Sequence, residues 1–246
     1  MAKKSGLAGL FFVGGRDLSG DVSAINNAAS PVAVLDMTAL DKSAIERVRG
    51  LGDGNMEVAL WFDDAANATH DAFKGLPTAD VIALYGQGGA VGDVAAALRG
   101  KQINYDWSRG ADGSLAGTVQ IQGSAGVPLE WCNLLSAGKI THASATSSAS
   151  KDDAAATSNG AAFYLELASL ATGTVTVTIE DSANDADWAT LASFAAVAAA
   201  GAPTAERIEV SGTVRRYLRI TTTGTFTTAV FLVAYRRGTA QDTEAY

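Results

Sequence analysis

The sequence predicts a mainly β protein with a few short helices, and three observations carry that prediction. Bulky apolar residues alternate with polar ones in several stretches, such as Met56, Val58, Leu60 and Phe62, or Val175, Val177 and Ile179. A period of two is the mark of a half-buried strand. Turn signals rich in glycine and aspartate separate these stretches, as at Asp112 and Gly113. Residues 141–160, THASATSSASKDDAAATSNG, hold no bulky apolar residue, so they cannot anchor a core. The reading is a first β segment over residues 1–142, a linker at 143–160, and a second all-β sandwich over 161–246.

In the first segment, residues 32–37 read as a strand. Thr38 is then a candidate N-cap with Asp41 three residues on, and Ile45 and Val48 follow at helical spacing until Gly50 and Gly52 end the helix. A strand over residues 56–62 comes next. Asp63 and Asp64 can cap another short helix through Ala68, Ala72 and Phe73, stopped by Gly75 and Pro77. Residues 81–85 return to strand, and residues 94–107 and 115–122 form a long hairpin about the turn at 110–114. Such a hairpin leaves edges that invite pairing with another chain. In the second segment, residues 162–167 and 174–179 are strands, Leu218 and Ile220 repeat the alternation, and residues 229–235 are apolar on both faces, as in a central strand.

Composition narrows the function. Eighteen Lys and Arg against 26 Asp and Glu give a net charge of −8, which disfavours a tight grip on phosphates. Only 18% of residues are charged, below the ~25% usual in soluble domains, and 48 are alanine. A small-residue, low-charge surface suits a protein covered by copies of itself; a compositional bias of the genome is the other reading. The opening residues lack the pattern of a signal peptide, and no apolar run approaches the ~20 residues of a membrane span. A lone cysteine, Cys132, excludes an internal disulfide, and its place in PLEWCNLL reads as a buried thiol.

No motif carries catalysis. YGQGGAVG at residues 85–92 follows a strand, but its third glycine falls out of the dinucleotide register and no strand–helix alternation follows. Asp181, Asp185 and Asp187 lack the calcium-loop order and read as a polar turn. His70 and His142 have no second ligand at useful spacing, and no serine sits in a nucleophile elbow. No catalytic, metal or cofactor residue is assigned, and the chain is not read as an enzyme. Arg215, Arg216 and Arg219, with Tyr217 and Trp188, read either as a carbohydrate or phosphate face or as a solvated strand face paired with Glu206 and Glu209.

The pieces GRDLSGDVSAIN, AVLDMTALDKSAIERVRGLGDG, HDAFKGLPTADV, GKQINYDWSRGADGSLAGTVQIQ and LEWCNLLSAGK, in this order, resemble the major tail tube protein of long-tailed, siphovirus-type phages, especially those of actinobacterial hosts. The resemblance covers most of residues 14–142 and rests on order and spacing. VTVTIEDSANDADWATL followed by RRYLRI resembles the immunoglobulin-like or discoidin-like sandwich modules that decorate phage tails.

The resemblance implies a β-sandwich or split barrel with a flanking helix. Six copies join their sheets into a ring, and rings stack into a tube through which phage DNA passes without specific binding. It also implies other tail proteins at the tube ends, a place in the virion after synthesis in the host cytoplasm, no cofactor and no membrane. By the same analogy residues 94–122 line the lumen and residues 1–20 form an arm bridging subunits. Residues 36–54 reach a neighbour through Asp41, Lys42, Glu46, Arg47 and Arg49. The second sandwich projects outward, as plain decoration or as an adhesin for host-surface glycans that uses Trp188, Arg215, Tyr217 and Arg219. A carbohydrate-binding or adhesive β-sandwich protein outside any tail is the alternative.

Overall fold

A computed structural model describes residues 7–124 and 126–239. The chain is 57% strand and 3% helix, so the mainly β reading holds. The first part comprises β1 (Leu10–Val13), β2 (Arg16–Asp17), β3 (Val22–Ala29), β4 (Val32–Asp36), β5 (Arg47–Gly52), β6 (Asn55–Trp61), α1 (Thr69–Phe73), β7 (Val81–Gly86), β8 (Val94–Arg109), β9 (Leu115–Gly123) and β10 (Glu130–Leu134). The remainder comprises β11 (Ile140–His142), β12 (Lys151–Asp152), β13 (Ala161–Ser182), β14 (Trp188–Ser193), β15 (Val197–Ala198), β16 (Thr204–Val210), β17 (Tyr217–Thr223) and β18 (Phe226–Arg237). Every pairing between these strands is antiparallel.

β8 organises the first part by belonging to two sheets. Its opening residues lie between β7 and β10, whereas residues 101–109 pair, among the described residues, with β9 alone. Gly100 marks the change of sheet: a Cβ there would lie 2.2 Å from the Gln122 carbonyl oxygen, so no side chain fits. Beyond it runs a four-stranded sheet in the order β3-β6-β9-β8. Met56, Val58, Leu60, Val119 and Ile121 form its inner face and pack against Phe11, Val13, Ala96 and Leu98, with Phe73 of α1 against the same core. Each of these side chains larger than alanine contributes about 1.5–3 kcal/mol by leaving water.

The second sheet curls. Strands β16-β13-β18-β10-β8-β7-β1 follow one another, and the β1–β2 turn comes back against β13 and β16. The close approach is made at Gly15, whose added Cβ would meet Thr204 N at 2.3 Å and Leu167 O at 2.6 Å. The interior holds Phe12, Leu84, Ala95, Ala97, Cys132 and Leu134 together with Ala162, Tyr164, Leu232 and Ala234. Both halves of the sequence therefore share one core. β13, 22 residues long, then carries on into the distal sandwich, where Phe163, Val177, Ile179, Leu218, Ile220, Phe231 and Val233 pack together.

Four sequence expectations change. The helix expected after Thr38 is a β-hairpin arm, β4–β5. A helix that short is marginal alone, and this one would have had nothing against which to bury Ile45 and Val48. The second helix is confined to Thr69–Phe73 and begins after Ala68; Asp63 instead accepts the Ala65 N–H at 2.8 Å. Residues 10–18 are not an arm: Phe11, Phe12, Val13 and Leu18 are core, and residues 1–6 lie outside the described residues. Residues 143–160 lack bulky apolar groups, yet they are strapped along the distal sheet. Ser148 N donates to Ile220 O and Thr222 N to Thr146 O, both at 2.8 Å. Asp153 accepts from Tyr235 Oη at 2.6 Å and from Arg237 at 2.8 Å.

Candidate assembly surfaces

The β4–β5 arm forms a two-stranded sheet of its own, with neither edge paired among the described residues. Leu35 faces Val48 across the ribbon, while Val34 faces Arg49 and Asp36 faces Arg47. Successive residues of a strand point to opposite faces, so both faces of the arm carry apolar groups. Val34, Leu35, Met37, Leu40, Ile45, Val48 and Leu51 are all more than half exposed. The arm holds its own shape: Asp36 Oδ1 accepts from Thr38 N at 3.0 Å and Thr38 Oγ1 at 2.6 Å, and Thr38 Oγ1 accepts from Glu46 N at 2.9 Å. Hydrogen bonds from Thr38 hold the exposed Asp36 carboxyl below its usual range.

The five charged residues expected at a contact all lie on this arm and are exposed, with Arg47 and Arg49 on β5. Lys42 and Glu46 meet at 3.2 Å near the tip. Charge alone does not reveal the apolar set; the signal for it is seven large apolar residues in one short segment.

The outer face of the four-stranded sheet has a different chemistry. Cross-strand register lines up Asn27, Glu57, Gln120 and Asn104 in one row, Ala24, Ala59, Thr118 and Asp106 in the next, and Asn55, Gln122 and Lys101 in a third. These groups bond along the face, as Asn27 Nδ2 does to Asn55 Oδ1 at 2.9 Å and Gln122 Nε2 to Asp53 at 2.9 Å. Lys101 is held by Asp80 at 2.7 Å. The face is therefore rich in amides and hydroxyls and presents no cluster of cations. Among the described residues its two outer strands are open: β3 pairs only with β6, and residues 101–109 of β8 only with β9. At the bulge in that β8 edge, Ile103 is half exposed.

On the distal sandwich, Trp188, Tyr217 and Arg219 share one face, because Ser182 pairs with both Trp188 and Tyr217 and Glu180 pairs with Arg219. The Arg219 guanidinium sits 4.2 Å from the centroid of the Trp188 ring and also bonds to Glu180 at 2.7 Å. Arg215 turns to the buried Asp181 at 2.6 Å and does not join that face. Arg216 pairs with Asp152, whose carboxyl it holds down at about 2. The expected partners Glu206 and Glu209 are engaged elsewhere, with the Ala195 N–H and Arg207 respectively. Register across the sheet sets Glu180 opposite Arg219, and sets Asp181 and Asp152 opposite Leu218 and Tyr217, just beyond Arg215 and Arg216; sequence proximity does not reveal that.

Among the described residues no three His, Cys, Asp or Glu side chains group as a metal site. The glycine-rich residues 87–93 are the turn between β7 and β8 and do not lead into a helix. Cys132 is buried in the curled sheet, and burial pushes its thiol well above the usual range.

No protein-family model and no curated protein matches the chain. Among solved structures it is similar to SPP1 Dit (gp 19.1), described as a paradigm of the hub adsorption apparatus in phages infecting Gram-positive bacteria. That match has 10% identity and a TM-score of 0.33 over 93% of this chain and 99% of the other. It is also similar to a chain of the tail of an empty GTA particle of C6 symmetry, at 14% identity and a TM-score of 0.35 over 53% of this chain and 98% of the other. A chain of the phage p2 baseplate in its activated conformation with strontium matches at 6% identity and a TM-score of 0.33, over 94% and 99%.

Proposed function

We propose that the chain is a structural protein of a phage tail, whose copies close into six-membered rings that stack into a conduit for DNA. The observation that carries this reading is the pair of open edges on one four-stranded sheet: β3 with eight residues and the distal half of β8 with nine, matched in length and on opposite sides. Joining one edge to the other in the next copy removes both, which a closed barrel does and a monomer does not. Six copies would make about 24 strands; at ~4.8 Å spacing the untilted ring is about 37 Å across, and strand tilt widens it.

The polar face of the same sheet then lines the hole. Only the distal half of the 94–122 hairpin contributes, since residues 94–97 pair with β10 and residues 95–100 with β7. An amide-rich lining with few cations gains little counterion-release free energy from the duplex, so DNA moves along it without being held. The arm has apolar groups on both faces and covers them against a neighbouring copy, while Asp41, Lys42, Glu46, Arg47 and Arg49 set its orientation. The distal sandwich projects outward as decoration. The glycan role is the weaker reading for it, because Arg219 already occupies one face of the Trp188 ring.

Negative-stain microscopy of the purified chain tests the proposal. Rings or tubes about ten nanometres wide are expected, from six ~25 kDa subunits about a DNA-sized hole. Ile103→Lys, which puts a charge on the β8 edge, should abolish rings while the monomer stays folded. Rings that never stack would place the chain at a tube end, and a monomer at all concentrations would overturn the reading.

A further inference from the structure

We propose that Glu166 is an acid latch: as a neutral carboxylic acid it fastens the β1–β2 turn to β13, and its ionisation releases that turn and loosens the seam of the curled sheet. Glu166 is fully buried. Strand alternation turns it to the same face as Ala162 and Tyr164, and its cross-strand partners are Ala205 and Leu232. One carboxyl oxygen, Oε2, accepts the Gly15 N–H at 2.5 Å. The other, Oε1, has no hydrogen-bond partner among the described residues.

Among the described residues the surroundings supply no ion-pair partner for Glu166. On the β1–β2 side, Arg16 makes no hydrogen bond or ion pair with Glu166 among the described residues and exerts its charge on Asp71, while Asp17 is bonded to Ser19 and, at 2.5 Å, to Lys139. On β16, Glu206 accepts the Ala195 N–H, and Arg207 is engaged by Glu130, Glu209 and Tyr164. At the start of β7, Asp80 is held by Arg99 and Lys101. On β13 itself, Tyr164 donates to Glu130. β18 presents Leu232 at this level. An ionised carboxylate in this place keeps only the Gly15 N–H and is otherwise unsolvated and without an ion pair, so burial favours the neutral acid.

Burial accordingly raises the Glu166 carboxyl well above the ordinary range, opposed only by the Gly15 N–H. Because the folded chain holds this proton more tightly than the unfolded one, the stabilisation is complete below the ordinary carboxylate value. It is lost as pH rises through the folded-state value. The seam is the place that yields, since Gly15 fits there only through its φ of +85° and its lack of a Cβ. Gly14, Val81, Ile82 and Thr204 line an open groove along the same seam, by which water reaches the loosened turn.

The test uses the full chain and Glu166→Gln, melted between about pH 5 and about pH 9, with hydrogen exchange read at the Gly15 amide. The wild-type melting temperature should fall relative to the variant as pH rises, and Gly15 exchange, corrected for its intrinsic pH dependence, should quicken more than about tenfold in the wild type alone. Parallel melting curves with unchanged Gly15 protection would overturn the proposal. Should the variant not fold, infrared spectra of the wild type labelled at glutamate decide. A protonated buried carboxyl at neutral pH is expected, and its absence sinks the latch.

Discussion

β18 and the β4–β5 arm are both rich in large aliphatic side chains, yet their surroundings are opposite. Phe231, Leu232 and Val233 of β18 are completely buried, on two faces, between the curled sheet's interior and the distal core. Leu35, Leu40, Ile45 and Val48 of the arm stand in solvent on both faces. The same residue types thus serve two jobs. In β18 they stabilise the single chain, and in the arm they stand exposed, where the proposed assembly would cover them with another copy. A two-stranded ribbon has no layer of its own to cover it, which is why the arm's apolar surface points outside the molecule.

Three substitutions probe that contrast. Phe231→Ala should have the largest effect on the folded chain, a loss of about 3–5 kcal/mol in urea unfolding, because it opens a cavity in a fully buried site. A loss below ~1 kcal/mol would mean that the core repacks and that β18 is less central than its burial indicates. The paired change Leu40→Asp with Ile45→Asp should leave stability within about 0.5 kcal/mol, since these exposed side chains cover nothing within the chain. Microscopy should nevertheless show that assembly is gone. If the paired variant forms rings and tubes as before, the arm has no role in contact between copies.

The smallest effect concerns His142, which packs edge-on against Phe231 with ring centroids 5.1 Å apart and shares a 2.8 Å hydrogen bond between its Nδ1 and Thr222. Burial lowers its affinity for a proton in the folded chain. The unfolded chain then takes up the proton first as pH falls below about 6.5, so this contribution to stability is present above that value and fades on acidification. His142→Gln should flatten the difference in urea midpoint between about pH 7.5 and about pH 5, relative to wild type. Equal slopes in the two proteins would show that the ring stays neutral, or charges freely, in both states.

Much of the strand pattern could be read in advance. The alternation of Met56, Val58 and Leu60, the hairpin about Asp112 and Gly113, and the doubly apolar residues 229–235 all appear as strands. Such patterns are local, since period and turn chemistry act over a few residues. The candidate contact was half legible. Its charged residues share one protruding element, which local spacing predicts as a helix-bearing loop and which is a hairpin, and its apolar residues carry no charge signal. Ile45 and Val48 fit a helical stripe and a strand equally well in a short window, and only the hydrogen bonds of Asp36, Thr38 and Glu46 decide between them.

By itself the sequence determined the class of the protein, many strands set off by turn signals, together with its low and acidic charge. Those properties follow from composition and short-range periodicity, which need no partner to be expressed. The tertiary structure decided that both halves share a core, that residues 143–160 are a strap, that Arg215 serves Asp181, and that Glu166 faces Gly15 across 151 positions. Each depends on sheet register and on the curl of strands far apart in the chain. A one-residue change in register moves a side chain to the opposite face, so no local pattern could have specified them.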